Sequence, residues 1–230
     1  MTTIILAAGM GRRLNHDRPK CLTPLTEGMT MLDLQLAHVS RFTSDIRIVV
    51  GYKKELVLER YPQCAFTHND AFQTTNTARS LALALEDVRG GDVAWMNGDV
   101  IFGVDVLRRV VSGSGSGMAA MRGRVGEEEV KYRTDPIGRI VAVSKVIEDG
   151  EGEAIGVNLV RAADVERLRS ALARCGPQDY FEKGVEIAIG EGLEIFERDV
   201  SDLPCIEVDF PEDLEAGRKI LHRCLPTVSA

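Results

Sequence analysis

A short glycine-containing segment has the residue types that bind phosphate. It reads Leu6-Ala7-Ala8-Gly9-Met10-Gly11-Arg12-Arg13-Leu14 and is followed by Arg18-Pro19-Lys20. Small residues that leave a strand let backbone N–H groups approach a phosphate chain, and basic side chains beyond them supply positive charge. Residues 12–20 hold four basic residues against Asp17 alone, so we expect an anion there. The pattern is neither GxGxxG nor GxxxxGK[ST], which disfavours a dinucleotide dehydrogenase and a P-loop NTPase.

Two aspartates follow apolar runs that are far apart in the sequence. Asp99 ends the run Trp-Met-Asn-Gly-Asp, and Asp209 lies in Glu-Val-Asp-Phe-Pro. Strands of one parallel sheet deliver their carboxyl ends to one crevice, so we expect the two carboxylates to converge there within about 8 Å. With phosphate oxygens and water they form an all-oxygen site suited to Mg²⁺. In isolation, Asp99 is equally typical of a turn and Asp209 of a helix N-cap.

The elements that must position these residues alternate between strands and helices. Apolar runs at residues 3–8, 46–50 and 93–96 are separated by helical periodicity at residues 32–42 and 77–85. This alternation predicts βαβ units and an α/β, Rossmann-like doubly wound sheet that is mostly parallel.

After residue 111 the pattern changes. Residues 112–117 read SGSGSG, which predicts a surface loop, and strand-like runs then follow closely. We expect an antiparallel extension or lid on the acceptor side at residues 118–160, within a single domain at residues 1–230. The predicted strands of this half are residues 118–121, 130–133, 139–146, 154–160, 193–198 and 205–208, and the predicted helices are 163–174, 178–189 and one that begins at Pro211.

Composition excludes several classes of protein. The 230 residues are 44% hydrophobic and 27% charged, as in a globular protein. The five cysteines form no CxxC pair, which disfavours a zinc site and a disulfide framework. A net charge of -7 argues against a nucleic acid partner. No apolar run approaches the roughly 20 residues that span a bilayer, and no secretory signal is recognisable, so we expect no membrane partner and a cytoplasmic location.

The motifs together resemble those of a known superfamily. Residues 6–14 with Lys20 are similar to the N-terminal motif of the nucleotide-diphospho-sugar transferase superfamily, in its nucleotidyltransferase branch. Asp99 and Asp209 match the two metal-binding positions of that family. The resemblance implies a nucleotide site at residues 6–13 and Asn97, catalytic roles for Lys20 and Arg12, and Mg²⁺ on the two aspartates.

A further segment resembles the part of phosphocholine cytidylyltransferases and their phosphonate-specific relatives that reads cytosine. It spans residues 69–81, and Asn76 and Ser80 lie four positions apart, on one face of a helix. The resemblance implies CTP as the donor and base recognition by these two residues. A capped helix accounts for Asn76 equally well.

The acceptor is less defined by the sequence. Lys131, Lys145 and Glu153 resemble the middle segment of the same branch, which places such residues near the acceptor, and Glu129, Glu153 or Glu182 could pair with an amine. A choline headgroup would need an aromatic cage, yet aromatic residues are only 5% of the chain. We interpret Trp95 as core and Tyr132, Tyr180 and Phe181 as candidate cage residues.

The function predicted is a Mg²⁺-dependent cytidylyltransferase that transfers CMP from CTP to a small phosphorylated or phosphonylated acceptor and releases pyrophosphate. The acceptors considered are choline phosphate, an aminoalkyl phosphonate and other phosphonates. The alternatives are a sugar-1-phosphate or inositol-phosphate nucleotidyltransferase that uses another triphosphate, and a non-catalytic nucleotide-sensing domain. The oligomeric state stays open, with a homodimer as one expectation.

Overall fold

The computed structural model describes residues 1–14 and 17–225, and of Arg12 it describes the backbone only. This part of the chain contains the strands β1 (Thr2–Ala7), β2 (Ile46–Val50), β3 (Ala65–His68), β4 (Val93–Asn97), β5 (Val100–Phe102), β6 (Ser116–Arg122), β7 (Lys131–Thr134), β8 (Ile140–Ser144), β9 (Gly152–Val160), β10 (Ile195–Asp199) and β11 (Cys205–Glu207). Its α-helices are α1 (Met31–Val39), α2 (Lys54–Arg60), α3 (Thr77–Glu86), α4 (Val104–Ser112), α5 (Val165–Leu172), α6 (Phe181–Gly190) and α7 (Pro211–Cys224). Short 3-10 turns lie at Arg12–Leu14, Lys20–Leu22 and Ala162–Asp164. None of the helices described is long and apolar enough to cross a membrane.

Strand β1 lies in the middle of a nine-stranded sheet. The strand order is β10-β6-β9-β4-β1-β2-β3, and the hairpin β7–β8 pairs with the start of β9. Strands β4, β1, β2 and β3 are parallel to one another. Strand β9 is antiparallel to β4 and β6, and β10 is parallel to β6. The predicted α/β fold with a mostly parallel, mixed sheet is therefore confirmed.

Both faces of the sheet are covered, which is why β1 is apolar throughout. Successive side chains of a strand point to opposite faces. Ile4 and Leu6 belong to a core shared with α3, α5 and α6, whereas Ile5 and Ala7 belong to one shared with α1 and α4. Trp95 of β4 is fully buried and packs edge-on against Phe181, with 5.7 Å between ring centroids. The interpretation of Trp95 as a core residue is consistent with this packing.

The prediction for residues 112–160 needs correction. Strands β6 and β9 lie inside the main sheet, because their residues are buried on both faces over most of their length. Only the hairpin β7–β8 extends from it. The predicted loop at residues 112–117 is shorter than expected, since Ser112 ends α4 and Ser116 begins β6.

A second, two-stranded sheet stands apart from the main one. Strands β5 and β11 pair antiparallel, with Glu207 opposite Val100. Helix α7 begins at Pro211 as predicted, and its Leu214 and Leu221 share a buried cluster with Ile101. This small sheet joins the segment that follows β4 to the segment that precedes the C-terminal helix.

Gly152 provides a test of the packing between β6 and β9. A Cβ at this position would collide with the Met121 carbonyl oxygen and lie 2.8 Å from the Arg122 Cα. Because backbone atoms cannot give way as side chains do, we expect Gly152→Ala to lower the free energy of unfolding by about 1–3 kcal/mol in urea denaturation. Gly190→Ala is the matched control, since nothing lies within 4 Å of its added Cβ. Equal stability of the two variants would contradict the close approach of β9 to β6.

Candidate active site

A cleft of about 710 Å³ opens at the carboxyl ends of the parallel strands. The glycine-containing segment follows β1, Asn69 follows β3, and Asp99 follows β4 by two residues. Tyr180 and Glu182, at the start of α6, line the cleft from one side. Residues 205–207, Asp209 and Phe210 line it from another. Open α/β sheets bind their ligands at this edge, so the cleft is the candidate active site.

The glycine-containing segment forms one wall of this cleft. Leu6, Ala7, Ala8, Gly9 and Gly11 all line it. Gly11 has a φ of +58°, and a Cβ there would lie 2.8 Å from the Cβ of Lys20. A glycine is therefore needed where the loop turns back over Lys20.

The basic residues of this segment differ in position. Arg13 lies at the mouth of the cleft, where Nη1 is 3.4 Å from Asp209 Oδ2 and Nη2 is 3.6 Å from Glu128 Oε2. Its guanidinium also lies 5.1 Å from the centre of the Phe210 ring. Met10 is half-buried between the two glycines. The role predicted for the Arg12 side chain lies outside the described residues.

Lys20 is the centre of the site. Its Nζ donates to Asp99 Oδ2 at 2.7 Å and to Asp209 Oδ1 at 2.6 Å, and its side chain is only 13% exposed. Burial alone would lower the pKa of Lys20, but the two carboxylates outweigh it and hold that pKa above its usual value. The two carboxylate oxygens can be at most about 5.3 Å apart, the sum of the two hydrogen-bond lengths. The predicted convergence of the aspartates within 8 Å is confirmed.

The way in which the aspartates converge differs from the prediction. Asp99 follows a strand of the parallel sheet, but Asp209 follows β11, which pairs with β5 outside that sheet. The amide of Val208 donates to the Asp99 carbonyl at 3.0 Å and continues this pairing to the aspartates. Antiparallel pairing of two short strands therefore brings the carboxylates together. Phe210 is the N-cap of α7, so the alternative of Asp209 as the N-cap is wrong.

The two aspartates have the donor atoms for a hard cation. Asp99 Oδ1 is buried and has no hydrogen-bond partner in the described structure, and carboxylate oxygens suit Mg²⁺. Among the described residues, no group of three His, Cys, Asp or Glu side chains could hold a metal ion alone. A cation on Asp99 and Asp209 would need further oxygen ligands from a bound phosphate or water.

The residues predicted to read the base line the same cleft, but their side chains differ in availability. Asn76 Oδ1 caps α3 by accepting from the Thr77 amide at 2.9 Å, as the alternative interpretation anticipated. Ser80 is buried and accepts a hydrogen bond from Asn69 Nδ2 at 3.0 Å. Asn97 ends β4, and its buried Oδ1 has no partner among the described residues. Base recognition by these residues remains a prediction.

Four of the five candidate acceptor residues reach the cleft, namely Glu129, Lys145, Glu153 and Glu182. Lys131 does not line it, and its Nζ donates to the Lys145 carbonyl at 3.0 Å. Lys131 is thus placed to hold the turn after β8 that carries Lys145. Of the candidate cage residues, Tyr132 and Phe181 are fully buried in the core. Tyr180 alone lines the cleft, and the Nζ of Lys145 lies 4.7 Å from the centre of its ring.

Two acidic residues that line the cleft have raised pKa values. Burial raises the pKa of Glu182 to about 7, and its Oε2 has no partner in the described structure. Burial, together with the nearby Glu129, raises the pKa of Glu153 to about 7. Among the described residues that line the cleft, eight are acidic and three are basic. The described lining of the cleft therefore holds more acidic than basic residues.

Glu207 and Asn69 are cleft residues that the sequence analysis did not assign to a role. Glu207 lies close enough to both aspartates to feel their charge, and burial, together with Asp99 and Asp209, raises the pKa of its carboxyl group. The available signal in the sequence was its spacing. Glu207 lies two positions after Cys205, and residues two apart share a face of a strand. Asn69 is buried beside Ser80. Its signal in the sequence was its place at the start of the segment 69–81, which resembles cytidylyltransferases.

Two solved structures of similar fold are named as transferases that use CTP. The inositol-1-phosphate CTP transferase from T. maritima has a TM-score of 0.79 at 18% identity, covering 100% of this chain and 98% of that one. The CTP:phosphocholine cytidylyltransferase from Streptococcus pneumoniae has a TM-score of 0.77 at 21% identity, covering 96% and 98%. At these identities the likeness is one of fold.

The sequence comparisons go further. The bifunctional protein GlmU of Gluconacetobacter diazotrophicus is 30% identical over 215 residues, which are 84% of this chain and 45% of that protein. The protein of the same name from Aromatoleum aromaticum is 30% identical over 209 residues, 85% of this chain and 46% of that protein. The chain spans about half the length of the curated relatives it matches. Residues 3–178 match the MobA-like NTP transferase domain, and the chain therefore belongs to this family, within the nucleotide-diphospho-sugar transferase superfamily.

Proposed function

We propose that the protein is a Mg²⁺-dependent cytidylyltransferase that transfers CMP from CTP to a small phosphate or phosphonate acceptor. The observation that carries the proposal is the position of Lys20, between Asp99 and Asp209 and directly beneath the glycine-containing segment. This family uses a nucleoside triphosphate and a phosphate-bearing acceptor, generally with a divalent metal ion. Intact Lys20, Asp99 and Asp209 weigh against a non-catalytic sensing domain.

The chemistry requires charge neutralisation more than proton transfer. A phosphate or phosphonate acceptor is largely dianionic at neutral pH, so its oxygen is already a nucleophile. That oxygen attacks the α-phosphorus of CTP, the bond from this phosphorus to the bridging oxygen of the β-phosphate breaks, and pyrophosphate leaves with the electron pair. Lys20 would lie at the reacting phosphates and offset the charge of two anions that approach each other. A Mg²⁺ ion held by Asp99 and Asp209 would supply further positive charge there.

Cytosine as the base is supported by two observations. Both structural neighbours named above act with CTP according to their names. The segment that resembles cytidylyltransferases lines the cleft with Asn76 and Ser80, beside the glycine-containing segment. A sugar-1-phosphate enzyme that uses another triphosphate is the alternative.

Glu182, a buried acidic residue that lines the cleft, favours an acceptor that carries a cationic amine. Glu182 is 6% exposed, and its Oε2 lacks a donor in the described structure. A buried carboxylate is stabilised by a positively charged hydrogen-bond donor. A primary ammonium has N–H groups to donate, whereas the quaternary ammonium of choline has none. We therefore favour an aminoalkyl phosphate or phosphonate over choline phosphate and over a neutral sugar phosphate.

Pyrophosphate release from a panel of triphosphates and acceptors tests the proposal. We expect CTP with an aminoalkyl phosphonate to be the best pair. Lys20→Ala should lower kcat by about 100-fold or more with a smaller change in KM for CTP, because its charge matters most in the transition state. Lys183→Ala removes an exposed lysine that pairs with Glu186 and serves as the control. Equal turnover with UTP or GTP would contradict the cytidylyltransferase assignment.

Removal of the metal should abolish turnover. We expect excess chelator to stop pyrophosphate release and added Mg²⁺ to restore it, because the two carboxylates need a cation to hold a triphosphate. Asp99→Asn and Asp209→Asn should each lower kcat by about 100-fold or more while the circular dichroism spectrum stays unchanged. Asp105→Asn, which alters an exposed ion pair of α4, is the control. Full activity in chelator would refute the metal site.

Glu182, which we propose binds the acceptor, should lower the stability of the unliganded protein at neutral pH. Its pKa of about 7 in the folded state exceeds its ordinary value of 4.5, so the folded state holds a proton that the unfolded state releases between these pH values. Stability from this group is thus lost as pH rises from 4.5 to 7. At pH 8 we expect Glu182→Gln to raise the free energy of unfolding by on the order of 2 kcal/mol, with no gain at pH 4.5.

The same substitution should weaken binding of an amine. KM for an aminoalkyl phosphonate should rise about tenfold, while KM for an amine-free phosphonate changes little. Glu186→Gln, in the same helix and more exposed, is the control for both measurements. An equal rise in KM for both acceptors would rule out a contact between Glu182 and the amine.

A further inference from the structure

Asn69 and Ser80 form a buried pair at the wall of the cleft. Asn69 follows β3 and is 2% exposed, and Ser80 lies in the first half of α3 and is 5% exposed. Both line the cleft. Asn69 Nδ2 donates to Ser80 Oγ at 3.0 Å.

The orientation of the Asn69 amide is determined by the backbone around it. The amide of Ala71 donates to Asn69 Oδ1 at 3.2 Å. Since a backbone N–H can only donate, the atom that faces Ala71 must be the oxygen, and the NH₂ group must face the other way. That group donates to Thr75 Oγ1 at 3.1 Å as well as to Ser80. Thr75 Oγ1 in turn donates to the Ala71 carbonyl at 2.8 Å, which leaves it free to accept from Asn69.

The polarity of Ser80 follows from this arrangement. A hydroxyl group has one hydrogen to donate and two lone pairs. One lone pair of Ser80 accepts from Asn69, and no described residue accepts a hydrogen bond from the Ser80 hydroxyl. A buried hydroxyl without an acceptor is unfavourable. Ser80 is therefore set to donate to a ligand in the cleft.

We propose that Asn69 is a positioning residue for base selection, which holds the Ser80 hydroxyl as a hydrogen-bond donor to the ring nitrogen N3 of cytosine. The inference rests on the proposed function, in which CTP is the donor. Cytosine N3 carries a lone pair, whereas uracil N3 carries a hydrogen. A donor held towards this position accepts cytosine and opposes uracil, because two donors would face each other. Asn69 does not touch the base in this arrangement and acts through Ser80.

Asn69→Asp tests the proposal by reversing the polarity with little change of shape. An aspartate at position 69 can still accept from the Ala71 amide, but its second oxygen accepts from Ser80 where the NH₂ group donated. The Ser80 hydroxyl would then turn its hydrogen away from the cleft and present a lone pair to the base. We expect the ratio of kcat/KM for CTP to that for UTP to fall at least about tenfold. Gln73→Glu adds the same charge on an exposed turn of this segment and should leave the ratio unchanged.

Ser80→Ala provides the second arm. It should lower the same ratio, and Asn69→Asp should have no further effect on the ratio in the Ser80→Ala background, because Asn69 acts only through Ser80. An additional, independent effect of Asn69→Asp in that background would overturn the proposal. Should Asn69→Asp not fold in a thermal unfolding assay, equilibrium binding of CTP and UTP to Ser80→Ala decides, and an unchanged preference would overturn it.

The triphosphate preference of the wild-type protein distinguishes a failure of the proposed use of CTP from a failure of the role proposed for Asn69. A wild-type protein that prefers another triphosphate would refute the proposed use of CTP. A wild-type preference for CTP that Asn69→Asp leaves intact would refute the role of Asn69 alone.

Discussion

The neutralisation of negative charge around the Lys20 ammonium is the constraint on which the site depends. Asp99 and Asp209 approach each other within about 5.3 Å, the sum of their distances to Lys20 Nζ. Two carboxylates this close repel, by about 1 kcal/mol or more depending on the local dielectric, unless a cation lies between them. The glycine at position 11, the pairing of β5 with β11 and the buried position of Lys20 all serve this arrangement. A bound triphosphate and its metal ion would change the contacts among the charges of Lys20, Asp99 and Asp209.

Hydrogen bonds join the side of the cleft formed by α3 to the side formed by α6. The segment before and at the start of α3 contacts the segment before α6: the Asn76 amide donates to the Pro177 carbonyl, and the Phe181 amide donates to Thr77 Oγ1, each at 2.9 Å. Gln178 Nε2 donates to the Thr74 carbonyl at 2.8 Å. Asn76 and Ser80 on one side are thus tied to Tyr180 and Glu182 on the other. The proposed base site and the proposed amine site are positioned by the same contacts.

Stability and function oppose each other in this cleft. Eight acidic residues line it against three described basic ones, and burial keeps the pKa values of Glu153 and Glu182 near 7. Such groups lower the stability of the free protein at higher pH, since a buried charge without a partner is costly. The sheet is covered on both faces, with apolar residues on both sides of β1, β4 and β9. Burial of these residues supplies stability that offsets the cost.

The sequence by itself determined the local features. Apolar runs located β1, β2 and β4, helical periodicity located α1 and α3, and Pro211 located the start of α7. The glycine-containing segment, Lys20 and both aspartates were recognisable as motifs. Tertiary structure decided what depends on partners distant in the sequence. Strands β6 and β9 lie in the main sheet, and Asp209 reaches the site because β11 pairs with β5. Lys131 donates to a backbone carbonyl of the turn after β8. Each of these contacts joins residues that no local pattern in the sequence connects. The polarity of Ser80 and the raised pKa of Glu182 likewise follow from burial and neighbours, which only the folded chain defines.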